Sequence, residues 1–206
     1  MRLPTVLNIE GPVIVLGGGA VGMRKVEYLV KFGANITVVD EEDITLPDGV
    51  GLNRQKISLE DLSDLIPEGT ALAVAALSSR ELNHGIASHC RSRGIMVNVV
   101  DDPDVSTTLF PALSRSGDVN IAISTSGRCP FLARKIREEL DGRVEEMAIW
   151  LEVLSPVRDR LAGIDEKNRV LELVYADEET ARLVRSGDLE GAKARAWEVY
   201  DVHCEP

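Results

Sequence analysis

The run Gly17-Gly-Gly-Ala-Val-Gly22 stands directly behind a wholly apolar, β-branched stretch, Pro12-Val-Ile-Val-Leu16. No other feature narrows the choice of fold as far. A short apolar run of this kind reads as a strand buried on both faces, the habit of parallel sheets. In Gly17-x-Gly19-x-x-Gly22 each glycine has a separate purpose. Gly17 permits the tight turn from strand to helix. Gly19 lets the backbone approach a pyrophosphate, and Gly22 lets helix and strand pack closely. Ala20 and Val21 supply N–H groups at the positive end of the helix dipole, where anionic oxygens are favoured. The helix is expected from about Ala20 to Phe32, with Val26, Leu29 and Val30 on its apolar face and Gly33 as its stop. Asn35-Ile-Thr-Val-Val39 reads as a second strand ending at Asp40, about 20 residues beyond the glycines, where a carboxylate accepts adenosine ribose hydroxyls. Glu41 and Glu42 repel a 2′-phosphate, and no arginine is adjacent in the chain. The expected cofactor is therefore NAD rather than NADP.

Strand and helix patterns go on alternating. A polar strand is expected over about Gly51 to Ser58, a short helix over Leu59–Leu65, and a buried strand over Ala71–Ala76. A helix over Ser79–Arg93 stops at Gly94, and a strand over Ile95–Val100 ends at Asp101. Such alternation predicts an α/β fold, a doubly wound Rossmann-type parallel sheet. From Asp102 to Gly117 the chain reads as a long polar connection, a length uncommon unless functional. Val119–Ser124 alternates with period two and predicts a strand. Pro130 suits the first turn of a helix reaching about Leu140, with Asp141-Gly142 as its stop. The remainder reads as helices over Glu145–Leu161, Asp165–Tyr175, Asp177–Arg185 and Asp188–Tyr200. The expected organisation is a nucleotide-binding domain over 1–113, a strand-plus-helix segment over 114–142, and a helical domain over 143–206.

The chain has 206 residues and a net charge of −11, with no basic face or tail, so nucleic acid is not an expected partner. An anionic substrate would need a locally basic site. Cys90, Cys129 and Cys204 are scattered and read as reduced thiols. No leader pattern is visible, and the apolar stretch Val13–Val21 is too short to span a bilayer. No membrane partner and a cytoplasmic location are expected. His84, His89 and Cys90 do not share one helix face well, so no metal site is expected from them.

Three motifs, in order, resemble the precorrin-2 dehydrogenase family, which includes the amino-terminal module of bifunctional siroheme synthases and the stand-alone dehydrogenase/ferrochelatases. They are Gly17-Gly-Gly-Ala-Val-Gly-Met-Arg-Lys25, Val97-Asn-Val-Val-Asp-Asp-Pro103 and Ala122-Ile-Ser-Thr-Ser-Gly-Arg-Cys-Pro130, the last followed by Leu132-Ala-Arg134. They cover about two-thirds of the chain, and the helical tail matches only in general character. Departures are Gly22 where the family usually has alanine, Leu77-Ser-Ser79 where it often has acidic residues, and Arg128-Cys129 where it has small ones.

The resemblance implies a stand-alone enzyme that removes two hydrogens from precorrin-2, a ring bearing eight carboxylates, to give sirohydrochlorin in siroheme synthesis. Asp101 matches the family's candidate catalytic aspartate, and its place at a strand's carboxyl end fits a ligand site in an open α/β sheet. A neighbouring Asp102 is expected to push the Asp101 pKa upward. The cofactor set is Gly17, Gly19, Ala20, Val21, Gly22, Asp40, Glu41 and Asn98, although Asn98 reads equally well as an ordinary strand-end hydrogen bonder. Candidate holders of the substrate carboxylates are Arg24, Lys25, Ser124, Thr125, Ser126, Gly127, Arg128 and Arg134, with Arg115 a further basic residue; each of these cations also reads as a solvated surface charge. The resemblance further implies a homodimer formed through the 114–142 segment, burying Ile121 and Ile123, against simple packing of that face within one chain. Two other functions stay open. One is a dehydrogenase that also inserts iron into sirohydrochlorin. The other is a non-catalytic NAD-sensing domain, against which the 101–117 connection and the Ser124–Pro130 motif argue.

Overall fold

The computed structural model describes residues 6–162 and 167–204. The chain divides into two compact units, Met1–Phe110 and Pro111–Pro206.

The first unit is built on a five-stranded parallel sheet in the order β3-β2-β1-β4-β5. Its strands are β1 (Val13–Leu16), β2 (Ile36–Asp40), β3 (Gly51–Arg54), β4 (Leu72–Ala75) and β5 (Met96–Val99). Val13 stands opposite Ile36 on one side and Leu72 on the other, so β1 is the central strand. The order runs outward from β1 in both directions, which creates the switch point where open α/β sheets hold their ligands. Alternate residues feed opposite faces. Val13, Val15, Ile36, Val38 and Val74 pack with Val26 and Leu29 of helix α1 (Ala20–Val30). Ile14, Leu16, Val39, Ala75 and Val97 pack with α2 (Leu62–Leu65) and with Ile86, Ala87 and Cys90 of α3 (Arg80–Ser92). The order of elements is the expected one, but β3 ends at Arg54, short of the expected Ser58, with the Gln55 N–H still donating to the Asp40 carbonyl at 3.0 Å.

The connection expected from Asp102 to Gly117 contains two features that the sequence reading left out. Ser106 and Thr107 fold back along the free edge of β5 and act as a substitute strand. The Val99 N–H donates to Ser106 Oγ at 2.9 Å, the Val97 N–H to Thr107 Oγ1 at 2.8 Å, and the Thr107 N–H to the Val97 carbonyl at 2.8 Å. Hydroxyls thereby satisfy an edge that would otherwise stay unpaired. Further on, Ala112–Ser116 forms strand β6, antiparallel to β7 (Val119–Ile123) across a two-residue Gly117-Asp118 loop. Gly117 has φ 53°, the left-handed conformation such hairpin loops require.

In the second unit β6 and β7 are followed by α4 (Pro130–Arg160), α5 (Lys167–Ala176), α6 (Glu178–Ser186) and α7 (Leu189–Cys204). The helix stop expected at Asp141-Gly142 does not occur: α4 runs through both residues, and the boundary read there has no break beneath it. A lone glycine costs a helix only about 1 kcal/mol. The buried Val144, Trp150, Val153 and Val157 outweigh that cost, and the Asp141 carboxylate is engaged by the buried Ser114 hydroxyl of β6. Val119, Ile121 and Ile123 share the half-buried face of β7. The Asp165 start expected for α5 lies outside the described residues. Gly187, at φ 78°, caps α6, and Asp188 Oδ1 accepts the Gly191 N–H at 3.0 Å, as the Ser-Gly-Asp sequence predicts. No helix among the described residues is long and apolar enough to cross a membrane.

Asp177 ties this unit together. It accepts the Thr180 N–H at 2.9 Å as the α6 cap, and a two-pronged contact from Arg195 of α7 at 3.0 and 2.8 Å. The Arg195 guanidinium, with the Thr180 donors, holds this carboxyl well below the usual carboxylate range. A depressed folded-state pKa contributes stability above the unfolded value of about 3.9, and that contribution is lost as pH falls through the folded one. Arg195 is partly exposed, so the pairing is discounted for screening. Asp177→Ala should lower stability by about 1–3 kcal/mol at pH 7. The difference from wild type should shrink below about pH 4. Thermal melts of both proteins at several pH values check this.

Candidate functional site

One cavity of about 620 Å³ opens at the carboxyl ends of the strands in the first unit. Gly17, Gly19, Ala20, Val21, Asp40, Glu41 and Asp101 all line it. Its backbone frame is continuous. The Gly17 N–H donates to the Val39 carbonyl at 2.9 Å, the Ala76 N–H to Leu16 at 2.8 Å, and the Val100 N–H to Ala75 at 3.0 Å. The loops after β1, β4 and β5 thus each carry the sheet's hydrogen bonding one residue further before they turn over the cavity.

The elbow follows from the sequence locally. Gly17 sits at φ 103°, where a side chain would be strained. Gly22 is buried beneath it, and a Cβ at Gly22 would run into the Gly17 carbonyl oxygen. The alanine usual in the family at this position would displace the elbow in this chain. Gly19 is different: a Cβ there would meet nothing within 4 Å. It faces open cavity, the space a pyrophosphate needs. The amino end of α1 has no side-chain cap and no acidic residue in its first turn, so its N–H groups remain available to an anion. Asp40 braces this arrangement. Its Oδ2 accepts the Gly18 N–H at 2.6 Å and its Oδ1 accepts the Glu42 N–H at 3.0 Å. Carboxylate lone pairs remain for ribose hydroxyls. Ile44, Ile57, Leu77 and Leu82 add apolar lining suited to a flat base. Volume, elbow, bare helix end and acidic rim together fit a dinucleotide.

Two polar residues that the sequence reading did not single out hold the rim after β4. Asn83, buried, accepts the Leu77 N–H at 3.1 Å and donates to the Leu77 carbonyl at 2.9 Å. Ser79 caps α3 by accepting the Leu82 N–H at 3.3 Å. The sequence carries a signal for the first: Asn83 shares a helical face with Ile86, Ala87 and Cys90, so a polar side chain there must find a partner inside.

Asp101 is exposed to the cavity and has φ 58°, one of two non-glycine residues in the left-handed region among those described. Such strain costs about 1 kcal/mol or more and gathers at functional sites. Asp102 is engaged elsewhere. His84 Nε2 lies 2.8 Å from its Oδ2 and Arg80 Nη2 lies 3.3 Å from the same oxygen. The His84 hydrogen bond chiefly lowers the Asp102 pKa, assisted by the charges of His84 and Arg80. The bare like charge expected beside Asp101 is therefore compensated. Asn98 is 5% exposed, does not line the cavity, and donates to the Thr108 carbonyl at 2.9 Å. Its strand-end reading describes its surroundings; the cofactor reading does not.

Arg24 projects from α1 into solvent, whereas Lys25 is half-buried with its Nζ 4.7 Å from the Phe110 ring centre. Burial pushes the Lys25 ammonium below its ordinary value, the Arg24 charge adds to this, and Asp101 opposes it. Tyr28 meets the same Phe110 ring edge-on at 5.1 Å.

The other predicted substrate residues belong to the second unit, in the loop before α4 and on its first turns. Ser124 Oγ accepts the Ser126 N–H at 3.1 Å, and Thr125 Oγ1 accepts the Cys129 N–H at 3.2 Å. Ser126 and Gly127 are both left-handed, at φ 55° and 79°. Arg128 is exposed, its N–H on the Thr125 carbonyl at 3.0 Å. Arg134 lies 5.4 Å from the Phe131 ring centre and 3.7 Å from Glu138.

The family described as "Putative NAD(P)-binding" matches residues 7–112. Siroheme synthase 2 of Aeromonas hydrophila subsp. hydrophila is 31% identical over 198 residues, covering 93% of this chain and 42% of its own length. Siroheme synthase 2 of Aeromonas salmonicida is 32% identical, covering 93% of this chain and 41% of its own. The chain thus spans about two-fifths of the length of these relatives. Among solved structures, "SirC, precorrin-2 dehydrogenase" superposes with a TM-score of 0.68 at 21% identity, covering 97% of this chain and 100% of that one. At that identity the likeness establishes the fold.

Proposed function

Because the chain belongs to the NAD(P)-binding family of precorrin-2 dehydrogenases and siroheme synthase amino-terminal domains, we propose that it oxidises precorrin-2 to sirohydrochlorin with NAD. The observation that carries this is Asp101 lining the same cavity as the glycine elbow. An ionisable group and a dinucleotide cradle then share one space at the sheet's switch point. The reaction takes two hydrogens from the macrocycle, and bound NAD supplies the hydride acceptor. The protein must seat the cofactor and remove a proton. The elbow and the α1 amino end hold the pyrophosphate, and Asp40 takes the adenosine ribose. Asp101 receives the proton through its carboxylate oxygens. Arg24, Lys25, the Ser124–Arg128 loop and Arg134 bind substrate carboxylates, whose charge an acidic chain must offset locally. The protein works as a cytoplasmic homodimer, joined through the β6–β7 hairpin and the start of α4.

The test is anaerobic incubation of purified protein with precorrin-2 and NAD, following sirohydrochlorin by absorbance. Formation of sirohydrochlorin that depends on both protein and NAD is expected. Tight NAD binding with no conversion of precorrin-2 would refute the assignment.

A further inference from the structure

Asp101 reaches the cavity from a left-handed backbone conformation, which a side chain adopts only at a cost. Val99 to Asp102 form a four-residue turn, closed by the Asp102 N–H donating to the Val99 carbonyl at 3.3 Å. Asp101 is its third residue, at φ 58°, where turns with a positive angle ordinarily take glycine. A strained residue of this kind persists only where its surroundings over-determine it. The turn must therefore be fastened at both ends.

The first end belongs to the sheet. The Val100 N–H donates to the Ala75 carbonyl at 3.0 Å, and the Val99 N–H to Ser106 Oγ at 2.9 Å. The second end is Asp102, which lies beyond the sheet. Its carbonyl accepts the Ser106 hydroxyl at 2.9 Å. Its carboxylate, with the side chain 19% exposed, meets His84 Nε2 at 2.8 Å and Arg80 Nη2 at 3.3 Å, both from the first turns of α3. That helix is a firm anchor, because Ile86, Ala87 and Cys90 pack in one cluster with Val97 and Val99 of β5. The Arg80 side chain is 82% exposed, so solvent screens its pairing and His84 is the main holder.

We infer that Asp102, gripped by His84, is a positioning residue that fixes the Val99–Asp102 turn so that the Asp101 carboxylate stays presented to the cavity. This rests on reading Asp101 as the proton acceptor. Asp102 does not line the cavity, so it acts through Asp101 and not on the substrate. With the grip lost, Asp101 relaxes out of the left-handed region. A misplaced proton acceptor costs rate without costing cofactor affinity.

A double-mutant cycle read in kcat tests this. Asp102→Ala should lower the rate of NAD-dependent precorrin-2 oxidation about tenfold, with NAD affinity by calorimetry changed no more than about threefold. In an Asp101→Asn background the same substitution should cost less than about twofold, since no proton acceptor is left to misplace. A merely structural Asp102 would cost the same factor in both backgrounds. His84→Leu should follow the pattern of Asp102→Ala, whereas His84→Gln, which keeps a donor in reach, should restore about half the wild-type rate or more. The two His84 variants leave the turn's own residues unchanged, so they carry the test where Asp102→Ala does not fold. If the Asp102 and His84 variants run at the wild-type rate, lose equally in both backgrounds, or show no recovery in His84→Gln, the inference is overturned and Asp101 keeps its role. If Asp101→Asn alone leaves the rate unchanged, the reading of Asp101 falls and the inference with it.

Discussion

Gly19→Val should lose NAD binding by at least about 100-fold while the protein remains folded. The two halves of that expectation come from the same geometry. At φ −65° and ψ 176° the Gly19 backbone lies in a region open to any residue, so valine introduces no torsional strain. A Cβ there meets nothing within 4 Å, so the side chain starts out into open space rather than into the free protein. Its only cost to stability is at the helix cap, where valine is poorer than glycine by about 1 kcal/mol. The methyl groups instead occupy the space that a pyrophosphate must enter to reach the α1 amino end. Losing that approach forfeits several charge-assisted hydrogen bonds, each contributing about 1.5–3 kcal/mol, which is where the estimate of roughly 100-fold or more arises. Calorimetric titration with NAD, paired with a thermal melt, reads both halves. A normal titration would mean that the pyrophosphate does not pass over Gly19.

The contrast with Gly22 shows how far the motif was legible. Sequence alone assigns the three glycines to a turn, an approach and a packing contact. The structure shows Gly17 at positive φ, Gly19 facing open space and Gly22 pressed under a carbonyl. Short-range pattern was enough here because every part of the elbow lies within a few residues of the others. The same holds for the strands, whose apolar runs end where the sheet ends, and for the Gly187 stop of α6. Gly142 marks the limit: a local stop signal was overridden by packing of the helix on either side of it. Strand β6 was missed because Ala112-Leu-Ser-Arg-Ser116 alternates weakly and is defined by its partner β7.

The site was less legible wherever two distant segments meet. Arg54 comes to stand opposite Asp40 through strand pairing, which no spacing along the chain reveals. His84 and Arg80 reach Asp102 because α3 begins beside the end of β5, and this pairing removes the like charge expected to act on Asp101. Asn98 carries a motif residue's identity but spends its amide on Thr108, in a loop that reads from sequence merely as polar.

Asp101→Asn should reduce turnover of precorrin-2 by about 10²–10⁴-fold, the usual effect of removing a positioned proton acceptor. Asparagine is the informative replacement. At φ 58° alanine would add backbone strain, whereas asparagine tolerates the left-handed region and keeps the side-chain shape. It cannot accept a proton at neutral pH, so geometry is retained while the chemistry is removed. The hydroxyl-pinned 106–107 segment holds the loop without using the Asp101 carboxylate. NAD affinity should therefore shift by no more than about threefold, less than 1 kcal/mol. Single-turnover rates under saturating NAD, measured for both proteins, separate this from a binding defect. Equal rates would place the proton acceptor on another residue.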